Sequence, residues 1–194
     1  MIAINQKNDQ MDFADGFWVF GYGSLMWKAG FEFTARRKAR LEGYHRRFCL
    51  DSITYRGTPE NPGLVLGLDE GGMCEGIAYQ VAASVAEETY RYLHDREMSN
   101  YSYREEVLSI SLEPFGEAER VPALCYVMDP AHPRYAGGLN LTAQAERIAR
   151  CAGPMGPNAE YLHNTMDHLR EMQVSEPELE ELERMVRELG SEPN

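Results

Sequence analysis

Residues 17–27, FWVFGYGSLMW, constrain this chain more than any other stretch. Phe17, Trp18, Val19 and Phe20 form a continuous apolar run, aromatic and β-branched, which is the pattern of a strand covered on both faces. Gly21 and Gly23 follow, and they let the backbone turn sharply and be approached closely. Successive N–H groups in such a turn make a concavity suited to a carboxylate or an oxyanion. The plainer alternative is an ordinary turn at a strand end. Three sharper readings fail on the residues themselves. Met26 stands where a dinucleotide fingerprint needs its third glycine, and no Gly-Lys-Ser/Thr follows for a phosphate loop. A nucleophile elbow needs glycines two residues either side of its serine, where Ser24 has Tyr22 and Met26. Ser24 is therefore expected to hydrogen-bond and not to attack.

A chain of 194 residues is long enough for one domain with a proper core. Hydrophobic content of 43% and charged content of 26% are those of a soluble globular protein. No apolar run reaches membrane-spanning length, and MIAINQKNDQMDFADG is too polar for a signal peptide. Residues 1–16 are expected to be a flexible arm ahead of a single domain over residues 17–190 with a helical C-terminal part. Cys49, Cys74, Cys125 and Cys151 are scattered without a C-x-x-C pair, which predicts reduced thiols in a cytoplasmic protein. A net charge of −12 argues against nucleic acid or an anionic membrane as a partner, and nothing in it specifies an oligomeric state.

Residues 28–38 read as a loop and residues 39–52 as a strand pair or one bent strand. Residues 55–63, YRGTPENPG, are dense in turn formers and read as a loop. Residues 64–68 and 76–81 flank a stretch containing Gly71-Gly72, which predicts a hairpin. Ser84 and Glu87 make an S-x-x-E capping box ahead of a helix reaching Met98 and stopped by Ser99-Asn100. Strands are expected over residues 106–112 and 121–128, with a turn at residues 114–116 between them. Helices take over from Thr142. The first ends at Gly153-Pro154, the second is capped by Asn158, and the third is boxed by Ser175 and Glu178 with Gly190 past its end. Strands first and helices last predict an α+β fold, a small mixed β-barrel of about six strands with surrounding helices.

One carboxylate is out of place. Ala86, Tyr90 and Leu93 share a helix face, and the next step of four lands on Glu97, while Glu87, Glu88, Arg91 and Asp95 lie mainly elsewhere. A glutamate continuing an apolar stripe either reaches water from a fraying helix end or is buried for a purpose. Burial raises its pKa, which suits a group that takes and returns a proton near neutrality. The five histidines form no metal set, since even His163 and His168 are five apart. Arg36-Arg37 and Arg46-Arg47 either clamp a substrate carboxylate or pair with the many acids.

FGYGSLMW, RRFCLDSITYRGTPENPG, YLHDREMSNY and GPNAEYL, in this order and separation, resemble the bacterial ChaC-type glutathione-specific γ-glutamylcyclotransferases over nearly the whole chain from Phe17 to Leu189. The resemblance implies a γ-glutamylcyclotransferase-like fold, no cofactor and no metal. It implies that Tyr22, Gly23, Ser24 and Leu25 bind the γ-glutamyl moiety and that Glu97 is the catalytic acid/base. Tyr161 is expected to line the same pocket, and Arg56 of the RGTPE loop to grip the Cys-Gly half of glutathione. The implied reaction is attack of the γ-glutamyl α-amine on its own γ-amide carbonyl, releasing 5-oxoproline and Cys-Gly. Two alternatives stand beside it: a cyclotransferase for other γ-glutamyl compounds, amines or amino acids, and a non-catalytic regulator of cation transport.

Overall fold

The computed structural model describes residues 13–98, 102–115 and 119–191. All but the last four residues of the expected N-terminal arm lie outside these, as do the Ser99-Asn100 helix stop and Gly116. The elements in order are β1 (Phe17–Gly21), β2 (Ala35–Ser52), β3 (Gly63–Val81), α1 (Ala86–Glu97), β4 (Tyr103–Leu112) and β5 (Arg120–Met128), followed by α2 (Leu141–Arg150), β6 (Ala152–Gly153), β7 (Gly156–Pro157), α3 (Asn158–Glu171) and α4 (Pro177–Ser191). The chain divides into two compact units, residues 1–45 with 70–129 and residues 46–69 with 130–194.

The first unit is built on a closed barrel of strand order β1-β3-β2-β4-β5, five strands where about six were expected. β1 sits between an antiparallel neighbour, with Val19 opposite Tyr79, and a parallel one, with Val19 opposite Leu124. A strand paired on both edges has its backbone groups satisfied, and its uninterrupted apolar run is explained by burial on both faces. Phe17, Val19 and Phe20 are buried accordingly. α1 lies on the outer face of this strand. Ala86 and Leu93 pack with Val19, Val81, Leu124 and Tyr126, and Leu25 from the glycine turn joins the same cluster.

Two expectations fail here for physical reasons. The hairpin predicted at Gly71-Gly72 does not form, and β3 runs through as one strand of 19 residues. Gly71 and Gly72 take φ of +106° and +67°, and the His45 ring nitrogen of β2 lies 2.9 Å from the Gly71 carbonyl oxygen. With β2 beside it in the barrel, the glycine pair takes up positive φ within a paired strand and makes no reversal. The Ser84 capping box is also absent. Residues 83–85 form a 3-10 turn, α1 begins behind Val85, and no side chain caps it.

The second unit holds the other parts of β2 and β3 and the three later helices. α2 is capped by Asn140, whose side chain accepts from the Ala143 N–H at 2.9 Å. α2 packs chiefly against α4. Asn158 does not cap α3. It lies inside the first turn, fully buried, with its amide laid along β3: Leu64 N–H donates to Oδ1 at 2.6 Å and Nδ2 donates to the Leu64 carbonyl at 2.7 Å. The side chain thus replaces a neighbouring strand for one residue. Arg46 pairs with Glu176 in the interior, and Arg47 donates to the carbonyls of Gly137 and Leu139 at 2.6 and 2.7 Å, so both arginines brace loops. Gly153, expected as a helix stop, instead pairs with Gly156 in the two-residue ribbon of β6 and β7. A side chain at Gly153 would collide with the Tyr55 carbonyl oxygen at 2.4 Å, so the RGTPE loop rests on its bare backbone.

Asn158→Ala would strand the buried N–H and C=O of Leu64. It is expected to destabilise the protein by about 2–4 kcal/mol, read as a drop in the denaturant midpoint at unchanged m-value. Glu183 is nearly buried and accepts from Arg187 at 2.8 Å and from Arg170, with the His163 ring nitrogen at 3.1 Å. Burial pushes its carboxyl up, but these hydrogen bonds together hold it below the ordinary value of 4.5. A depressed folded pKa gives stability that is full above the unfolded value and lost as pH falls through the folded one. Glu183→Gln should therefore lower Tm at pH 7 and lose that effect only as the melt is repeated at pH values falling below 4.5.

Candidate active site

The glycine turn at the end of β1 is held from several sides. A side chain on Gly21 would sit 3.0 Å from the Leu25 Cβ, so glycine there gives residues 24–26 room to curl back as a single 3-10 turn. The Met26 N–H donates to the Gly23 carbonyl at 2.8 Å, and the Tyr79 hydroxyl is shared between the carbonyls of Leu25 and Met26 at 3.0 and 2.9 Å. Tyr22 and Leu25 are buried, whereas Ser24 is exposed. The N–H groups of Ser24 and Leu25 open the turn and have no acceptor within it, as at any helix start.

Glu97 is the last residue of α1. Its side chain is only 18% exposed, which decides between the fraying end and the buried carboxylate in favour of burial. Burial raises its pKa above the ordinary value, and the Arg96 guanidinium partly offsets this. A carboxylate at a helix C-terminus also faces the negative end of the helix dipole, an added disfavour to the charge. The proton-bound form is thus more accessible than for a surface glutamate.

Arg96 joins the two features. Its Nε lies 3.2 Å from Glu97 Oε1, and its Nη2 donates to Ser24 Oγ at 2.8 Å. Its Nη1 donates to the carbonyls of Lys28 and Ala29 at 2.9 and 3.1 Å and to the Tyr92 hydroxyl at 3.0 Å. Ser24 is accordingly a hydrogen-bond acceptor, as expected of it, and Tyr22–Leu25 and Glu97 belong to one locality of the first unit.

Beside Glu97 stands a polar cluster that sequence reasoning missed. The Tyr90 hydroxyl donates to Glu105 Oε2 at 2.9 Å, and the His94 ring nitrogen lies 3.1 Å from Glu105 Oε1. Burial together with Glu105 pushes the Tyr90 phenol up to about 12. Tyr126 on β5 is almost wholly buried, and its hydroxyl meets no partner at hydrogen-bonding geometry among the described residues. Burial, and then the Glu105 and Glu97 carboxylates, push this phenol up, so it stays a neutral donor facing the carboxylates. The one signal in the sequence was a hydroxyl inside the apolar run LCYVM.

Arg56 and Tyr161 belong to the second unit. The Arg56 guanidinium lies 5.6 Å from the Tyr161 ring centre, donates to the Pro157 carbonyl at 3.1 Å and pairs with Glu160 at 3.4 Å. Tyr161 in turn meets the Phe48 ring edge-on, with centroids 5.7 Å apart.

The closed five-stranded barrel with its accompanying helices is the γ-glutamylcyclotransferase fold. The crystal structure of the yeast γ-glutamylcyclotransferase specific to glutathione shares it, with a TM-score of 0.79 at 24% identity over 90% of this chain and 96% of that one. The chain belongs to the ChaC-like protein family, whose profile matches residues 17–189 and so spans both units. Among its relatives, the glutathione-specific γ-glutamylcyclotransferase of Escherichia coli (strain K12) is 36% identical over 90% of this chain and 74% of its own length. The glutathione-specific γ-glutamylcyclotransferase 1 of Danio rerio is 35% identical over 84% of this chain and 83% of its own.

A carboxyl whose folded pKa is raised costs stability at high pH, and the cost vanishes as pH falls below the unfolded value near 4.5. Glu97→Gln should therefore leave Tm at pH 7 unchanged or higher. In a carbon-detected titration of the glutamate carboxyls, the resonance missing from that variant should titrate above 4.5.

Proposed function

We propose that this protein is a glutathione-specific γ-glutamylcyclotransferase that cleaves glutathione to 5-oxoproline and Cys-Gly, with Glu97 as its acid/base. The observation that carries this reading is the desolvated Glu97 carboxylate joined through one guanidinium to the Ser24 turn. Family membership and the names of the relatives support the substrate.

The chemistry follows from the substrate. The α-amine of a γ-glutamyl group, with a pKa of about 8, is mostly an ammonium at neutral pH and cannot attack until a base takes a proton. Glu97 removes it, the free amine attacks the γ-carbonyl carbon, and a five-membered ring closes. The carbon–nitrogen bond to cysteine then breaks as Glu97 returns the proton to the departing nitrogen, and the second proton of the attacking nitrogen follows by the same carboxylate, leaving a lactam N–H and Cys-Gly as its ammonium. Proton transfer by a positioned carboxylate contributes roughly 10²–10⁴ in rate. A raised pKa suits both halves of the task, because a strongly acidic carboxylate would be too weak a base for the ammonium. The N–H groups that open the Ser24–Met26 turn supply donors to the oxyanion or to the α-carboxylate of the glutamyl group. Tyr22 and Leu25 wall the turn, and the neutral Tyr126 hydroxyl supplies one further donor.

Arg56 and Tyr161 enter the proposal on the resemblance alone, as grip on the Cys-Gly half and border of the pocket. Within their unit the guanidinium is engaged by Pro157 and Glu160. The four cysteines are free thiols, and a reducing cytoplasm suits them.

Purified protein incubated with glutathione should release Cys-Gly and 5-oxoproline in equal amounts, with γ-glutamyl-alanine turned over more slowly. Glu97→Gln should lower kcat at least 10²-fold without loss of Tm. Equal turnover of γ-glutamyl-alanine would move the assignment to a broader cyclotransferase. Absence of Cys-Gly release from the wild type would refute the enzymatic reading and leave a binding protein.

A further inference from the structure

The element that joins base and turn has a role of its own. We propose that Arg96 is a positioning residue, which fixes the separation between the Glu97 carboxylate and the Ser24 turn and so sets the attack geometry. This rests on reading Glu97 as the proton carrier.

A cation in the last turn of α1 is favourable at any helix C-terminus, and a simple staple of that kind would explain one contact. Arg96 makes five. Nε addresses Glu97, Nη2 addresses Ser24, and Nη1 is shared among the Lys28 carbonyl, the Ala29 carbonyl and the Tyr92 hydroxyl. A guanidinium is planar with its donors fixed at known angles, so partners on three sides determine its position and it in turn determines theirs. The chain segments so fastened are different in kind: the end of α1 with Glu97 and Tyr92, the turn with Ser24, and the strand-free stretch with Lys28 and Ala29. The arginine side chain is 21% exposed and the Glu97 side chain 18%, so the ion pair between them is partly shielded from water.

The intramolecular reaction makes that separation matter. The γ-glutamyl chain must be folded with its amine against its own carbonyl, and a misplacement of about 1 Å in such an arrangement costs on the order of 10²-fold in rate. The amine must also meet Glu97 while the carbonyl oxygen or the α-carboxylate meets the turn. One rigid side chain spanning both contacts holds the two halves of the cradle in register.

Arg96 has a second, separable effect through its charge. Among the described residues, the groups that face Glu97 are Arg96 on its own helix, Tyr126 from β5 and, through Tyr126, the Glu105 cluster of β4 with Tyr90 and His94. Arg96 is the cation among them that lowers the Glu97 pKa against its burial. Loss of the charge therefore moves the acid limb of the kcat/KM profile to higher pH, whereas loss of the geometry alone does not.

The test uses the full chain and two variants, with Tm recorded for each. Arg96→Lys keeps the charge at the helix end but presents it from a single atom that cannot reach Ser24, Glu97 and both carbonyls at once. It should lower kcat about 10–100-fold with the acid limb near its wild-type position. Arg96→Met should lower kcat similarly and move the limb upward. Near-wild-type kcat in Arg96→Lys, or an unmoved limb in Arg96→Met, would overturn the proposal and reduce Arg96 to a staple that Tm alone reports. The carboxyl titration of Glu97 in Arg96→Met gives a readout that does not depend on turnover. An upward shift supports the coupling, and an unmoved titration overturns it. If the wild type fails to release Cys-Gly, the enzymatic reading falls by that result. If the wild type is active and Glu97→Gln is not, failure of the Arg96 variants to respond counts against the positioning role alone.

Discussion

A carboxylate denied most of its water at the negative end of a helix is the constraint around which the first unit is arranged. Left to itself, such a group would turn outward or stay protonated, because neither burial nor the helix dipole favours its charge. Here the side chain stays in, 18% exposed, with an arginine beside it. The positive neighbour offsets part of the penalty and leaves the pKa raised. A fully compensated carboxylate would be a poor base, and an uncompensated one would be protonated and unable to accept a proton at all. On the proposed reaction, a carboxyl raised by burial with a cation beside it suits a group that takes and returns a proton.

Keeping that carboxylate in place requires the rest of the unit to be stiff. α1 owes its position to Ala86 and Leu93 buried against β1, β3 and β5, and the turn owes its position to Leu25 in the same cluster. The helix that ends in Glu97 and the glycine turn are thus anchored in one core. Tyr79 adds a tie from β3 to the turn carbonyls. The carbonyls of the turn are thus engaged within the protein, which on the proposed reaction leaves its first N–H groups for an anionic group.

What the sequence made legible follows the period of the pattern. The uninterrupted apolar run of β1 implied burial on both faces, and its two paired edges supply the reason. The 4-3-4 spacing from Ala86 placed Glu97 on the packed face of its helix, while its position at the helix end left burial undecided until the side chain was placed. Illegible features depend on partners distant in the chain. Gly71-Gly72 has the composition of a reversal, and only the presence of β2 alongside keeps it within one continuous strand. Asn158 has the look of a cap, yet its amide pairs with Leu64, 94 residues away. Arg46 and Arg47 read first as solvated or paired with acids and second as a substrate clamp, and only their partners Glu176, Gly137 and Leu139 reveal loop bracing. Tyr126 and Arg96 gave no periodic signal, because a single hydroxyl in an apolar strand and a cation at a helix end are both common without function.

On the proposed reaction, the relative sizes of the catalytic contributions explain why so few side chains carry it. Intramolecular alignment can supply on the order of 7–11 kcal/mol, and a preorganised oxyanion donor roughly 3–4 kcal/mol. Acid/base transfer of ~10²–10⁴ corresponds to about 3–5 kcal/mol, smaller than alignment but indispensable because the ammonium has no lone pair. Most of the acceleration therefore comes from the shape of the cradle and not from any one reactive group. A fold answering that demand spends its residues on holding: glycines that let the turn close, a tyrosine on its carbonyls and an arginine across the gap. The single proton carrier can then be an ordinary glutamate whose unusual property, a raised pKa, comes from the same packing that holds the cradle rigid.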